Sequence, residues 1–179
     1  MKKIAFLDRD GVINKEVNYL HEWDQFEFTK NCIDALKILV KKGYELVVIT
    51  NQAGIAKGLF TESDYEELTV RYRNYLSKCG VTFLEILHCP HHVNGIIDEY
   101  KCDCFYRKPN PGMINKIVNK FDVSLDESIV VGDKVSDVNA GLAAGITNVY
   151  LVESGHALKE DDYLEFKVFD DLYDLAFSL

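Results

Sequence analysis

The chain has 179 residues, with 20 Lys and Arg against 29 Asp and Glu, so its formal net charge is −9. That length suits a single domain over residues 1–179, and an apolar content of 47% can fill one packed core. The acidic balance argues against nucleic-acid binding, which needs many basic side chains, but it allows a small anionic substrate. No apolar run approaches the roughly 18 residues of a membrane span or forms a signal-peptide core, so we expect a cytoplasmic protein that does not bind membranes.

Short apolar segments alternate with amphipathic segments along the chain. The apolar segments predict strands at residues 4–7, 46–49, 84–87, 129–131 and 149–152. Several are continuously apolar, as expected for strands buried on both faces of a parallel sheet. Apolar residues at helical spacing predict helices at residues 31–42, from 61 through 76, from 111 onward and from 136 to about 145. This alternation predicts an α/β doubly wound parallel sheet.

Two local signals refine these elements. Thr61 can cap the second helix, and Asp64, three residues later, can complete an acidic variant of the capping box. Residues 89–110 fit neither a helix nor a strand period and predict a long loop, which in a compact domain usually serves function.

Polar side chains follow three of the predicted strands. Asp8 and Asp10 come after the first strand, Thr50 ends the second, and Asp133 and Lys134 follow the fourth. Carboxyl ends of parallel strands meet at one edge of a sheet, where ligands bind. Three close carboxylates repel one another unless a cation lies between them, and carboxylate oxygens suit Mg²⁺. The set therefore predicts a Mg²⁺ site beside a phosphate cradle.

Four motifs carry a resemblance to a known superfamily over nearly the whole chain. Asp8-x-Asp10-Gly11, Thr50-Asn51, Lys108-Pro109 and Gly132-Asp133-Lys134-x-x-Asp137 resemble the four motifs of the haloacid dehalogenase (HAD) phosphatases. The resemblance implies a HAD-like, Rossmann-like fold in which Asp8 is the nucleophile and Asp10 the general acid and base. It also implies that Mg²⁺ is held by Asp8, a backbone oxygen of Asp10 and Asp133. The spacings between the motifs leave no room for a large cap domain.

Within the superfamily, the chain resembles the D-glycero-D-manno-heptose-1,7-bisphosphate 7-phosphatases, through residues 8–14 (DRDGVIN), 50–58 (TNQAGIAKG) and 107–113 (RKPNPGM). This implies Mg²⁺-dependent removal of the 7-phosphate during synthesis of nucleotide-activated heptose for lipopolysaccharide, by a monomer. The related histidinol-phosphate phosphatases, which share the aspartates and a zinc-binding loop like the one formed by residues 89–104, are one alternative. The other is a catalytically idle HAD-like binding module, although Asp8 and Asp10 are both present.

The same resemblance implies a set of residues that bind the substrate: Glu16, Val17, Asn18, Tyr19, Thr50, Asn51, Gln52, Ala53, Arg107, Lys108 and Lys134. Arg107 is either the anchor of the remote phosphate or an ordinary surface arginine. Lys134 either orients Asp133 or contacts the substrate. Asp137 either supports the waters on the metal or is an exposed residue at a helix start.

A cluster of cysteine and histidine lies in the long loop. Cys89-x-His91 and Cys102-x-Cys104 supply four ligands of the kind that form a closed, structural zinc site. His92 competes with His91 for the histidine position, and free thiols are the alternative to a metal site. Heptose phosphatases typically run from the second cysteine pair directly into the RKP motif, whereas Phe105 and Tyr106 intervene here and lengthen the connection to Arg107.

Overall fold

The computed structural model describes residues 1–179. It contains six strands: β1 (Lys3–Leu7), β2 (Tyr44–Asn51), β3 (Phe83–Cys89), β4 (Ile129–Gly132), β5 (Asn148–Val152) and β6 (Lys167–Phe169). It also contains seven α-helices: α1 (Cys32–Lys41), α2 (Ala53–Ala56), α3 (Glu62–Lys78), α4 (Gly112–Lys120), α5 (Val135–Ala143), α6 (Glu160–Glu165) and α7 (Leu172–Ser178). None of these helices combines the length and the apolar character needed to cross a bilayer.

The six strands form one parallel sheet in the order β3-β2-β1-β4-β5-β6. The chain winds from β1 outward through β2 to β3, then returns to β4 beside β1 and winds the other way. The prediction of a doubly wound parallel sheet is confirmed. The winding direction reverses between β1 and β4, and ligands of open α/β sheets bind beyond the strand ends at such a point.

Alternate residues of β1 enter two different cores. Ala5 and Leu7 belong to a core of 22 buried residues that packs α1, α3 and α7 on one face of the sheet. Ile4 and Phe6 belong to a core of 10 buried residues under α4 and α5 on the other face. All four side chains are buried, so β1 is buried on both faces, as its continuously apolar sequence predicted.

The five predicted strands and four predicted helices are confirmed, with differences of one or two residues at their ends; α4, for example, starts at Gly112 rather than at residue 111. The capping box of α3 is also confirmed: Asp64 N–H donates to Thr61 Oγ1 (3.1 Å), and Thr61 N–H donates to Asp64 Oδ2 (2.7 Å). Residues 90–111 contain no strand or α-helix, only a 3₁₀ turn at Asp98–Tyr100, which confirms the long loop. The sequence patterns missed α2, α6, β6 and α7, which are too short to show a period.

Candidate active site

A cleft of about 510 Å³ opens where β1, β2 and β4 end. Every predicted catalytic or substrate-binding residue except Val17 lines it: Asp8, Asp10, Glu16, Asn18, Tyr19, Thr50, Asn51, Gln52, Ala53, Arg107, Lys108 and Lys134. The lining also includes Asp137, whose role the sequence left open between two alternatives. Four further side chains of the lining had no predicted part in the cleft: Lys57, His92, Ser136 and His156.

Val17 does not line the cleft. Its side chain is 37% exposed, and its carbonyl accepts the N–H of Leu20 (3.1 Å) in the turn that follows. The backbone at this position therefore shapes the loop that carries Glu16 and Asn18, and the side chain is not part of the cleft lining.

A buried ion triad lies at the floor of the cleft. Lys108 Nζ contacts Asp8 Oδ1 (2.9 Å) and Asp137 Oδ1 (2.7 Å), and it also donates to the carbonyl of Ile49 (2.7 Å). Asp137 is only 1% exposed, so it is not the exposed helix-start residue considered above. Its other oxygen accepts the N–H of Lys134 (3.0 Å) and caps α5.

The triad has unusual protonation behaviour because it is buried. Burial raises the pKa of Asp8 to about 6, with Lys108 opposing the rise and Asp137 and Asp10 adding to it. Burial alone would lower the pKa of Lys108, but the carboxylates of Asp137 and Asp8 outweigh it and the pKa is raised. Lys108 therefore remains a fixed positive charge beside the Asp8 carboxylate.

The Asp10 carboxyl group is held by three side chains. Arg9 Nη2 donates to both oxygens of Asp10 (3.0 Å each), Asn14 Nδ2 donates to Oδ1 (2.9 Å), and Gln52 Nε2 donates to Oδ2 (3.0 Å). Arg9 is fully buried and was not predicted as a site residue, nor was Asn14. Both residues belong to the DRDGVIN motif, and the position of Arg9 between two aspartates could have marked it as a site residue.

Asp133 lies beneath the cleft and is fully buried. Its Oδ2 accepts the main-chain N–H of His156 (2.9 Å) and lies 2.6 Å from His156 Nδ1, while Oδ1 has no hydrogen-bond partner. Burial raises the pKa of Asp133, and the nearby Asp8 charge adds to the rise. No sequence signal marked His156, because it is 23 residues from Asp133 and only the fold joins them.

Asn51 fixes the loop that carries Lys108. Its Nδ2 donates to the carbonyl of Lys108 (3.0 Å), and its Oδ1 accepts the Lys108 N–H (3.0 Å). Thr50 Oγ1 accepts a hydrogen bond from Gln52 Nε2 (2.8 Å) at the same strand end. The end of β2 thus joins the Lys108 loop to the group around Asp10.

Two further cations of the cleft lining lie close to His92. They are Arg107 and Lys57, and Lys57 Nζ donates to the hydroxyl of Tyr19 (2.7 Å). Burial lowers the pKa of His92, and the positive charges of Arg107 and Lys57 lower it further. Arg107 is therefore part of the cleft rather than an ordinary surface arginine.

Comparison with known proteins agrees with this geometry. The model of the family described as polynucleotide kinase 3 phosphatase matches residues 3–167. A Photorhabdus laumondii protein named D-glycero-alpha-D-manno-heptose-1,7-bisphosphate 7-phosphatase is 53% identical over 88% of this chain and 86% of its own length. The chain belongs to this family of HAD phosphatases. A Haemophilus influenzae relative, named for the beta anomer, is 42% identical over 98% of this chain and 95% of its own length.

Solved structures place the same phosphatase fold over the whole chain. The D,D-heptose 1,7-bisphosphate phosphatase of B. bronchiseptica, solved with magnesium and phosphate, is 30% identical with a TM-score of 0.82, covering 99% of this chain and 97% of that one. A HAD-like phosphatase from Mesorhizobium loti is 31% identical with a TM-score of 0.85, covering 99% of this chain and 85% of that one.

The long loop of this HAD phosphatase brings three of the four predicted zinc ligands together. Ligand atoms of Cys89, His91 and Cys104 lie within 4.8 Å of one another. Cys102 is exposed and lies outside this group, with its N–H donated to the carbonyl of Tyr100 (3.1 Å). His92 is also outside the group: its Nδ1 accepts the N–H of Asn94 (3.0 Å).

The two residues that precede Arg107 form a turn. The carbonyl of Cys104 accepts the N–H of Arg107 (2.9 Å), so Phe105 and Tyr106 occupy the middle of a four-residue turn and remain exposed. Arg107 Nη1 donates to the carbonyl of His91 (3.2 Å). The extra residues therefore project outward while Arg107 stays beside the cysteine cluster and in the cleft wall.

Proposed function

We propose that this phosphatase removes the 7-phosphate of D-glycero-D-manno-heptose 1,7-bisphosphate. The observation that carries the proposal is that one cleft combines a buried carboxylate and lysine centre with two further cations in its lining, Arg107 and Lys57. A bisphosphate has a reacting phosphate for the centre and a second phosphate for these cations, and the named relatives act on such a sugar.

Asp8 is the proposed nucleophile. Its carboxylate attacks phosphorus in line with the sugar oxygen, which leaves as the phosphorus–oxygen bond breaks and an aspartyl-phosphate forms. Lys108, 2.9 Å from Asp8 Oδ1, supplies a fixed positive charge for the phosphoryl oxygens. Thr50 and the Asn51 N–H are the proposed neutral partners of those oxygens, since both residues line the cleft beside Lys108.

Asp10 is the proposed general acid and base. It protonates the leaving sugar oxygen, and the resulting carboxylate then takes a proton from the water that hydrolyses the aspartyl-phosphate. The hydrogen bonds from Arg9, Asn14 and Gln52 hold its carboxyl group in one orientation during both steps. Preorganisation of this kind keeps the proton donor near the reacting oxygen.

The residues beside Asp8 fit a Mg²⁺ ion. Ligand oxygens of Asp8, Asp133 and Asp137 lie within 4.8 Å of one another, and the buried Asp133 Oδ1 lacks any hydrogen-bond partner. We assign Mg²⁺ binding to Asp8, Asp133 and the main-chain oxygen of Asp10. When bound, the ion offsets the repulsion between the Asp8 carboxylate and the phosphate. Asp137, already paired with Lys108, acts through that lysine.

The remaining lining residues are proposed to recognise the sugar and its second phosphate. Arg107 is the bidentate anchor of the remote phosphate, and Lys57, which with Arg107 acts on His92, adds positive charge to the cleft. The sugar hydroxyls contact the other members of the set: Glu16, Asn18, Tyr19, Gln52, Ala53 and Lys134. Val17 contributes through the backbone of its loop.

We also propose a structural zinc ion in the long loop. Burial raises the pKa of Cys89 to about 12, and Cys104 adds to the rise. Such a thiol stays protonated at neutral pH unless a cation shares its site, and zinc binds the deprotonated form. Cys89, His91 and Cys104 are already grouped, and Cys102 is the proposed fourth ligand. Monomeric state, cytoplasmic location, a single domain and the absence of nucleic-acid or membrane partners stay predictions.

The test is a phosphate-release assay with Mg²⁺ on both anomers of the heptose bisphosphate and on histidinol phosphate. We expect kcat/KM for the preferred bisphosphate anomer to exceed that for histidinol phosphate by at least about tenfold, because only the bisphosphate has a second phosphate for Arg107. Phosphorus NMR of the product should show the 1-phosphate retained. Asp8→Asn is the control and should lose about 10³-fold or more in kcat. Equal or better turnover of histidinol phosphate would contradict the proposal.

A further inference from the structure

The loop after β5 places His156 against Asp133 at the wall of the cleft. Its main-chain N–H and its Nδ1 both face Asp133 Oδ2, at 2.9 and 2.6 Å. Because an ionised carboxylate only accepts hydrogen bonds, Nδ1 carries the proton in this contact. With both donors on one oxygen, Asp133 Oδ1 is left buried and without a partner.

This loop is anchored so that its backbone packs on the Asp133 carboxylate. Ser154 Oγ donates to the carbonyl of Gly11 (2.6 Å), and the next loop residue is Gly155. A Cβ atom at Gly155 would lie 2.1 Å from Asp133 Oδ2, and one at Gly11 would lie 2.4 Å from the same oxygen. Only glycine at these two positions lets the two chain segments approach Asp133 this closely.

Glu16 is the other acidic group near the imidazole. Its Oε2 lies 3.9 Å from His156 Nδ1, beyond hydrogen-bond distance, whereas Asp133 Oδ2 lies at 2.6 Å. The imidazole proton is therefore directed to Asp133. His156 is 38% exposed at its side chain and lines the cleft, so it contacts solvent on one side and the buried carboxylate on the other.

We propose that His156 is a positioning residue that holds Asp133 with Oδ1 free to bind the divalent cation. The proposal rests on the Mg²⁺ site of the proposed function. Outer donors of this kind fix the orientation of carboxylate ligands, and their loss typically weakens metal binding about 10- to 100-fold. Without the imidazole, the Asp133 carboxylate is held by one main-chain N–H and rotates more freely about its side-chain bonds.

The test is Mg²⁺ binding to the metal-free, full-length chain by calorimetric titration. Asparagine at position 156 can place an amide N–H near the position of Nδ1, whereas glutamine places it nearer Nε2. We expect His156→Ala and His156→Gln to raise the Mg²⁺ Kd about tenfold or more, and His156→Asn to stay within about threefold of the wild type. Thermal midpoints in EDTA provide the second readout, and they should change little in all three variants.

His88→Ala is the matched control. It removes another imidazole–carboxylate contact, to Glu62 at 2.7 Å, and should leave the Mg²⁺ Kd unchanged. An unchanged Kd in His156→Ala, or a loss explained by a lower midpoint in EDTA, overturns the proposal. Asp133→Asn separates the two hypotheses: if it abolishes binding while His156→Ala binds normally, only the role of His156 fails. If the wild type binds no Mg²⁺, both fail.

Discussion

Buried charge decides the behaviour of individual residues at the cleft floor. Lys108 is paired with two carboxylates at once, Asp8 and Asp137, and all three side chains are at most 10% exposed. Two carboxylates beside one ammonium leave an excess negative charge in a region with little water. That excess is offset either by a proton or by a metal ion, so the protonation of Asp8 and metal binding are linked.

The Mg²⁺ affinity is therefore expected to depend on pH. Burial raises the pKa of Asp8 to about 6 from an ordinary value of 3.8, so in the metal-free fold the proton stays on until pH exceeds about 6. The contribution of the protonated Asp8 carboxyl group to folding stability is greatest below pH 3.8. It is lost as pH rises through 6, because the buried negative charge then forms. Because Mg²⁺ binds the ionised carboxylate, its Kd should fall by up to about tenfold per pH unit below pH 6 and level off above pH 7.

Calorimetric titration with Mg²⁺ at pH 5, 6, 7 and 8 measures this dependence. Asp133, whose pKa is also raised by burial, acts in the same direction and steepens it. In Asp8→Asn the Asp8 share of the pH dependence should disappear, leaving a shallower curve. A wild-type Kd that stays constant from pH 5 to 8 would contradict the linkage.

The leaving-group dependence of Asp10→Asn tests the proton donor. An asparagine keeps the size of Asp10 and one acceptor oxygen for Arg9 and Asn14, but its amide is not an acid at neutral pH and cannot protonate the leaving group. We expect kcat for the sugar phosphate to fall about 10²- to 10⁴-fold, while formation of the aspartyl-phosphate from p-nitrophenyl phosphate falls far less, because nitrophenolate leaves without a proton. Single-turnover measurements isolate that step. Equal losses on both substrates would remove the acid role from Asp10.

At the scale of elements, the segments that sequence patterns identified are those with local signals. The apolar runs of β1, β2 and β4 and the capping box of α3 were sufficient to predict them. The C-terminal elements β6 and α7 have three and seven residues, and their stability comes from contacts with distant parts of the chain. A segment of this length contains too few residues to show the hydrophobic periodicity from which a strand or helix is predicted.

Helix α7 provides a matched pair of substitutions for this point. Leu175 is fully buried in the core shared with α1, whereas Phe177, two residues later, is 74% exposed. Leu175→Ala should lower the free energy of unfolding by about 2–5 kcal/mol, and Phe177→Ala should change it by less than about 0.5 kcal/mol. Urea unfolding followed by circular dichroism measures both. Similar values for the two variants would mean that α7 does not belong to the cooperative core.

Over the whole molecule, the candidate site could be predicted where motif residues follow strands, and not where the fold joins distant segments. Asp8, Asp10 and Asp133 were expected to meet because parallel strands end at one edge. The contact of His156 with Asp133 and the pairing of Lys108 with Asp137 depend on how far loops reach, which no local pattern records. Cys102 is exposed and lies outside the group formed by Cys89, His91 and Cys104, and its N–H donates to the carbonyl of Tyr100 (3.1 Å).

The long loop also joins the proposed zinc site to Arg107 in the cleft wall. Arg107 is bonded to the carbonyls of Cys104, through its N–H (2.9 Å), and of His91, through Nη1 (3.2 Å). Both carbonyls belong to predicted zinc ligands, so disorder of the ligands moves Arg107. At the centre, Asp8, Asp10 and Asp133 follow strand ends that the sheet holds, and Lys108 is fixed separately, because Asn51 bonds both its N–H and its carbonyl (3.0 Å each). Loss of zinc should therefore affect substrate binding more than chemistry.

Cys104→Ser tests this coupling. The purified wild-type chain should carry about one zinc ion, and the variant should lose zinc and thermal stability together, because zinc binding is coupled to order in the loop. KM for the bisphosphate should rise about tenfold or more as Arg107 loses its anchor, while kcat for p-nitrophenyl phosphate, which has no second phosphate, should stay within about twofold. Cys79→Ser, at a cysteine outside the cluster, is the control. A fall in kcat for p-nitrophenyl phosphate with zinc content would mean that zinc takes part in the chemistry. A constant KM for the bisphosphate would mean that the turn at Phe105 and Tyr106 uncouples the zinc ligands from Arg107.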